Sequence, residues 1–185
     1  MTKMKPMIIV FIMLVVLVFA GIVIRKVCTQ NYMEQDILPD INYIFRYDRA
    51  IQERGKPVKT IQKQLDYNTD ATVLLVYYED MVIVYNFYKE EQEVGEFVWA
   101  QIESDQYKFG KKEVCIGMTK KEIEKIFKYS RQPSPAVHRG IVYDSEGNER
   151  SVSFISYFDN SFDEGFGFTY DENDVVEYIN IYLGL

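Results

Sequence analysis

An unbroken run of 18 apolar residues, Met7 to Ile24, constrains this chain more than any other feature. As a helix it would be roughly 27 Å long at ~1.5 Å per residue, close to the hydrocarbon thickness of a bilayer. We therefore predict a transmembrane helix within an anchor of residues 1–28, with the C-terminal part of the chain outside the cytoplasm. The alternative is a signal peptide cleaved near Val18-Phe19-Ala20, which would leave a secreted protein.

The composition of the full chain is typical of a protein with a folded, sheet-rich domain. Apolar residues make up 48% of the chain, and its 15 Tyr and 12 Phe favour strands. The net charge of −7 argues against a nucleic-acid partner, because phosphate binding needs a basic surface. Two cysteines are too few for a disulfide framework.

We predict a juxtamembrane linker at residues 29–39 and one α+β domain at residues 40–185. Apolar residues at helical spacing follow Asp40, and Gly55 ends that pattern. Pro57 can open a second helix, for which Val58, Ile61 and Leu65 would form the apolar stripe. From Thr72 onward, alternating and apolar runs separated by turn residues predict an antiparallel sheet, at 73–78, 82–88, 97–103, 140–143, 150–158, 165–170 and 175–183.

A further helix is marked by the run Ile116 to Phe127. Thr119 can cap its start, and Glu122 can reach back to the Thr119 N–H, which together form a capping box. Ile123 and Phe127 then fall on one helical face. We predict that this helix packs on a sheet.

The same residues resemble a known family. Ile-Gly-Met-Thr-Lys-Lys-Glu-Ile at 116–123 and Val-Val-Glu-Tyr-Ile-Asn-Ile at 175–181 are similar to the β-lactamase-inhibitor-protein-like superfamily, which includes small outer-membrane assembly lipoproteins. The similarity covers about residues 107–185, and an ungapped match between 55–67 and 117–129 suggests a repeat in 55–104. The resemblance implies short helices on one face of an antiparallel sheet, with two tandem units at 40–105 and 106–185 as one arrangement.

Catalytic patterns do not stand out in the sequence. The single histidine, His138, has no neighbouring cysteine or paired carboxylate, and no phosphate-binding glycine motif occurs. We therefore expect neither an enzyme nor a cofactor. Asp159, Ser161 and Asp163 place oxygens at alternate positions, as a calcium loop does, and an ordinary acidic turn is the alternative.

Strand alternation identifies candidate partner-binding residues. It places Phe97 with Trp99, and Tyr178 with Tyr182, on faces that mix aromatic and polar groups, as protein-binding surfaces do. The alternative is that these rings fill a second core layer.

The family resemblance implies a non-catalytic module that binds an unknown protein at the cell envelope, and the apolar run from Met7 to Ile24 predicts that it is membrane-anchored. A membrane-tethered structural or assembly factor is one alternative. A small-ligand-binding domain with a cone-shaped sheet is the other, and an apolar pocket would favour it.

Overall fold

The computed structural model describes residues 6–31, 36–65, 68–127, 136–160 and 164–183. Its helices are few and, after the first, short. They are α1 (Pro6–Asn31), α2 (Leu38–Ile41), a 3-10 helix (Asn42–Phe45), α3 (Tyr47–Arg54) and α4 (Lys120–Phe127).

Eight strands make up most of the fold. They are β1 (Lys59–Leu65), β2 (Asn68–Tyr77), β3 (Met81–Tyr88), β4 (Glu93–Ile102), β5 (Ala136–Tyr143), β6 (Glu149–Asn160), β7 (Glu164–Tyr170) and β8 (Val176–Leu183). All pairings are antiparallel, in the order β1-β2-β3-β4-β8-β7-β6-β5. Two meanders thus join at β4 and β8, and the sheet curls into a half-barrel.

This architecture corrects the predicted fold class. The antiparallel sheet is confirmed, but the protein is mainly an eight-stranded half-barrel with few helices, and it is only partly α+β. In α1, side chains are described for residues 11–23 only, and all of them are exposed. Within the described part of the chain, no helix is long and apolar enough to cross a membrane, so the predicted transmembrane helix is not confirmed.

The second predicted helix is also wrong, because Lys59–Leu65 forms β1 instead. Ile61 and Leu65 fit a helical stripe, yet Ile61, Lys63 and Leu65 equally share one face of a strand. Pairing with β2 along the whole segment decides between the two patterns. The apparent repeat therefore matches a strand to a helix.

The capping box at α4 is confirmed. The Thr119 N–H donates to Glu122 Oε2 at 2.8 Å, and the Glu122 N–H donates to Thr119 Oγ1 at 3.4 Å. Gly117 takes the positive φ of +86° needed for the turn before the helix. Ile123 and Phe127 are buried as predicted.

Both faces of the sheet carry a core. The helix-side core lies beneath α2, α3 and α4, and includes Ile41, Ile123, Phe166 and Phe168. The inner core lies on the opposite face and includes Leu75, Val84, Trp99, Phe154 and Tyr182. The two ends of the sheet curl toward this inner face, because side chains of β1 and β2 contact the β5–β6 turn.

A bulge in β4 decides which core each aromatic residue joins. Trp99 pairs with Val84, and Phe97 pairs with the next residue of β3, which leaves Val98 as an extra residue. Phe97 is therefore turned to the helix-side core while Trp99 lies in the inner core. The predicted alternation, which put the two on one face, is wrong at this point.

A second bulge, in β8, also changes which face of the sheet a residue lies on. Tyr178 pairs with Thr169, and Val176 pairs with Tyr170, which leaves Glu177 as the extra residue. Val176 consequently joins the helix-side core and not the face of Tyr178.

Candidate functional site

The structure does not gather the four predicted binding residues into one exposed face. Trp99 and Tyr182 are neighbours in the inner core, with ring centroids 5.8 Å apart, and both are buried. Phe97 is buried on the helix side, where its ring meets Phe45 edge to face at 5.1 Å. Tyr178 is half-buried, and its hydroxyl accepts a hydrogen bond from Arg150 at 2.9 Å. As contacts to a partner, these residues stay a prediction.

A small cavity opens beside Trp99, between β5 and the end of β1. Its volume is about 160 Å³. Its apolar lining comes from both ends and the middle of the sheet: Leu65, Val73, Val84, Val98, Ile141 and the Trp99 ring. Apolar walls with few polar groups are typical of a ligand pocket.

Gly140, at the edge of this cavity, packs closely against two rings of the inner core. A Cβ on Gly140 would come within 2.8 Å of Trp99 Cη2 and 3.0 Å of Phe154 Cε1. A glycine therefore lets the Trp99 ring lie directly against the β5 backbone.

Two buried nitrogen atoms near the cavity have no hydrogen-bond partner. They are Trp99 Nε1 and His138 Nε2, and neither finds an acceptor or donor in the part of the chain described. His138 lies in β5 and stacks on Phe154, with ring centroids 5.3 Å apart. An unsatisfied buried polar atom costs about 1–3 kcal/mol of stability, and both nitrogens are shielded from solvent on all sides.

Arg139 is the charged residue of the cavity lining. Its side chain is exposed, and it forms no ion pair with any described carboxylate. Sequence reasoning missed this cavity, since its lining comes from β1, β2, β3, β4 and β5. No local pattern could have joined those segments.

The two edge strands of the sheet, β1 and β5, differ in how well they are protected against pairing with another strand. Along the β1 edge, Lys63 Nζ donates to Gly147 O at 2.9 Å and lies 3.5 Å from Glu149, while Lys59 Nζ donates to Ser145 O. β1 is therefore charged and attached to the β5–β6 turn. The β5 edge carries Val137, which is 71% exposed, and no described strand pairs with its outer side. Open apolar edges are ready templates for another strand.

Hydrogen bonds fix the turn that joins β5 to β6. The Tyr77 hydroxyl donates to Asp144 O at 2.8 Å, and Gln101 Oε1 accepts the Tyr143 N–H at 3.1 Å. Burial, with a smaller effect from the Asp144 carboxylate, raises the pKa of Tyr77 to about 12, so this hydroxyl remains a donor at neutral pH. These hydrogen bonds therefore hold the end of β5 in place, with or without a partner at its open edge.

The calcium-loop prediction falls largely outside the described residues. Ser161 and Asp163 are not described, and of Asp159 only the backbone is described, where it pairs with Gly165. Across the described ranges, no three His, Cys, Asp or Glu residues form a group that could hold a metal ion.

Comparison with known proteins gives no family to which the chain can be assigned. No family model matches the sequence, and neither a curated protein nor a solved structure shows significant similarity to it. The resemblance to the β-lactamase-inhibitor-protein-like superfamily therefore stays a prediction.

Proposed function

We propose that this protein is a non-catalytic binding module of the cell envelope that pairs an extended segment of a partner protein with the β5 edge. The observation that carries this proposal is the contrast between the two sheet edges. Lysines of β1 bond to the β5–β6 turn, whereas β5 has an exposed apolar residue and an outer side that pairs with no strand among the described residues. When a partner strand adds to such an edge, its main chain forms hydrogen bonds to the edge strand. Its side chains point alternately to the two faces of the sheet.

We further propose that the module is associated with a membrane, with the sheet outside the cytoplasm. The support is the apolar surface of α1, where consecutive large side chains are exposed all round, from Phe11 at 70% to Val23 at 55%. A helix that is apolar on every side is stable only when something apolar surrounds it. We propose that contact with lipid supplies these apolar surroundings.

The proposal predicts the outcome of a charge placed on the open edge. Val137→Lys is expected to abolish most partner capture from solubilised membranes, because an edge lysine opposes strand addition. The tagged full chain serves as bait, and captured proteins are quantified by mass spectrometry.

Thr60→Lys is the matched control, since it places the same charge on the exposed side of β1. This variant should capture the same partner as the unaltered chain. Equal capture by all three proteins would contradict pairing at β5, and a chain recovered only in the soluble fraction would contradict membrane association.

A further inference from the structure

We propose that the cavity beside Trp99 is a binding site for a small ring-shaped carboxylate, meaning an aromatic or cyclic aliphatic acid. The cavity adjoins the strand proposed to pair with a partner, since four of its nine lining residues belong to β5, but Val137 is not among them. Its size, its lining and its polar groups each restrict the ligand.

The size restricts the apolar part of the ligand to about one six-membered ring. The cavity measures about 160 Å³. A dry apolar cavity of about 150 Å³ is known to take up benzene in another protein. Leu65, Val73, Val84 and Ile141 make apolar walls, and Arg139 and Tyr143 supply the polar part of the lining. A compact hydrocarbon ring therefore fills it best.

The charge at the cavity supplies the third restriction. Arg139 contributes a guanidinium that no described carboxylate neutralises. A planar carboxylate matches the paired donors of a guanidinium. A carboxylate on a ring would thus fill the apolar space with its ring and pair its negative charge with Arg139.

Trp99 is the only tryptophan of the chain, so its fluorescence reports directly on the site. We would titrate the purified full chain with benzoate, with its uncharged isostere benzamide, and with acetate, which lacks the ring. Benzoate is expected to change the Trp99 emission saturably and to raise the melting temperature. Benzamide should bind roughly fivefold more weakly, the scale of one exposed charge interaction, and acetate should give no saturable change.

Two variants separate charge from shape. Arg139→Gln, at an exposed position, should reduce benzoate affinity to that of benzamide and leave benzamide unchanged. Ile141→Phe, which fills the cavity, should abolish binding of both compounds. The ligand titration reads Trp99 emission and the melting temperature, whereas the partner experiment reads captured protein, so a failed partner experiment and a failed ligand experiment are distinguishable.

Three results would overturn the proposal. The first is an unchanged emission and an unchanged melting temperature with benzoate. The second is equal affinity for benzoate and benzamide in the unaltered chain. The third is benzoate binding that survives Arg139→Gln undiminished.

Discussion

Asp80→Ala is expected to lower the free energy of unfolding by about 3 kcal/mol, because it leaves a mostly buried arginine without its counter-charge. The Asp80 carboxylate accepts hydrogen bonds from Arg54 Nη2 at 2.5 and 2.6 Å and from the Tyr107 hydroxyl at 2.5 Å. The Arg54 side chain is 15% exposed, so little water could replace the lost partner.

The groups around Arg54 cannot replace the negative charge that is lost with the Asp80 carboxylate. Its guanidinium lies over the rings of Tyr78 and Tyr107, at 5.0 and 4.9 Å from their centroids. Burial, together with the hydrogen bond to Asp80, raises the pKa of Tyr107, so this phenol stays neutral and offers no negative charge. The cluster joins α3, the β2–β3 turn and the segment after β4.

Urea unfolding of the variants measures this effect. Glu79→Ala is the matched control, because it removes a neighbouring carboxylate that is exposed. The control should change stability by no more than about 0.5 kcal/mol, as surface substitutions usually do. Similar unfolding midpoints for both variants would show that the Arg54–Asp80 pair does not hold these segments together.

Gly165→Ala is expected to destabilise the protein by about 3 kcal/mol, although glycine-to-alanine changes in strands usually stabilise. Gly165 pairs directly with Tyr182 across β7 and β8, and a Cβ at this position would overlap the Tyr182 ring. That ring cannot move aside, because it stacks against Trp99 and its hydroxyl donates to Ser156 Oγ at 2.8 Å.

A double variant tests this explanation. In a Tyr182→Ala background the ring is absent, so adding Gly165→Ala should cost far less than it does in the unaltered chain. Additive costs in the two backgrounds would mean that Gly165 is required for some reason other than the ring of Tyr182.

The sequence predicts those features of the fold that depend only on residues close together in the chain. The capping box of Thr119 and Glu122 needs only neighbours in sequence, and α4 begins where it predicts. The antiparallel strands also follow from local alternation and turns. Lys59–Leu65 fits a helix and a strand equally well, and only pairing with β2 decides in favour of the strand.

The aromatic residues show where local rules fail. The alternation of β4 assigned Phe97 and Trp99 to one face, but a single extra residue, Val98, separates them into two cores. A bulge depends on the register with the neighbouring strand, which no single segment specifies. The cavity is even harder to predict from the sequence, because residues of β1 and β5 approach each other only after the whole sheet curls.

The central claim is that the curled sheet encloses an aromatic inner core and that binding takes place at its β5 edge and at the cavity. The fluorescence emission of Trp99 tests this claim most directly. The structure predicts strongly blue-shifted emission that resists quenching by acrylamide, since Trp99 is 7% exposed and packed against Phe154 and Tyr182. Emission typical of a water-exposed indole, readily quenched by acrylamide, would place Trp99 on an open face and contradict the account.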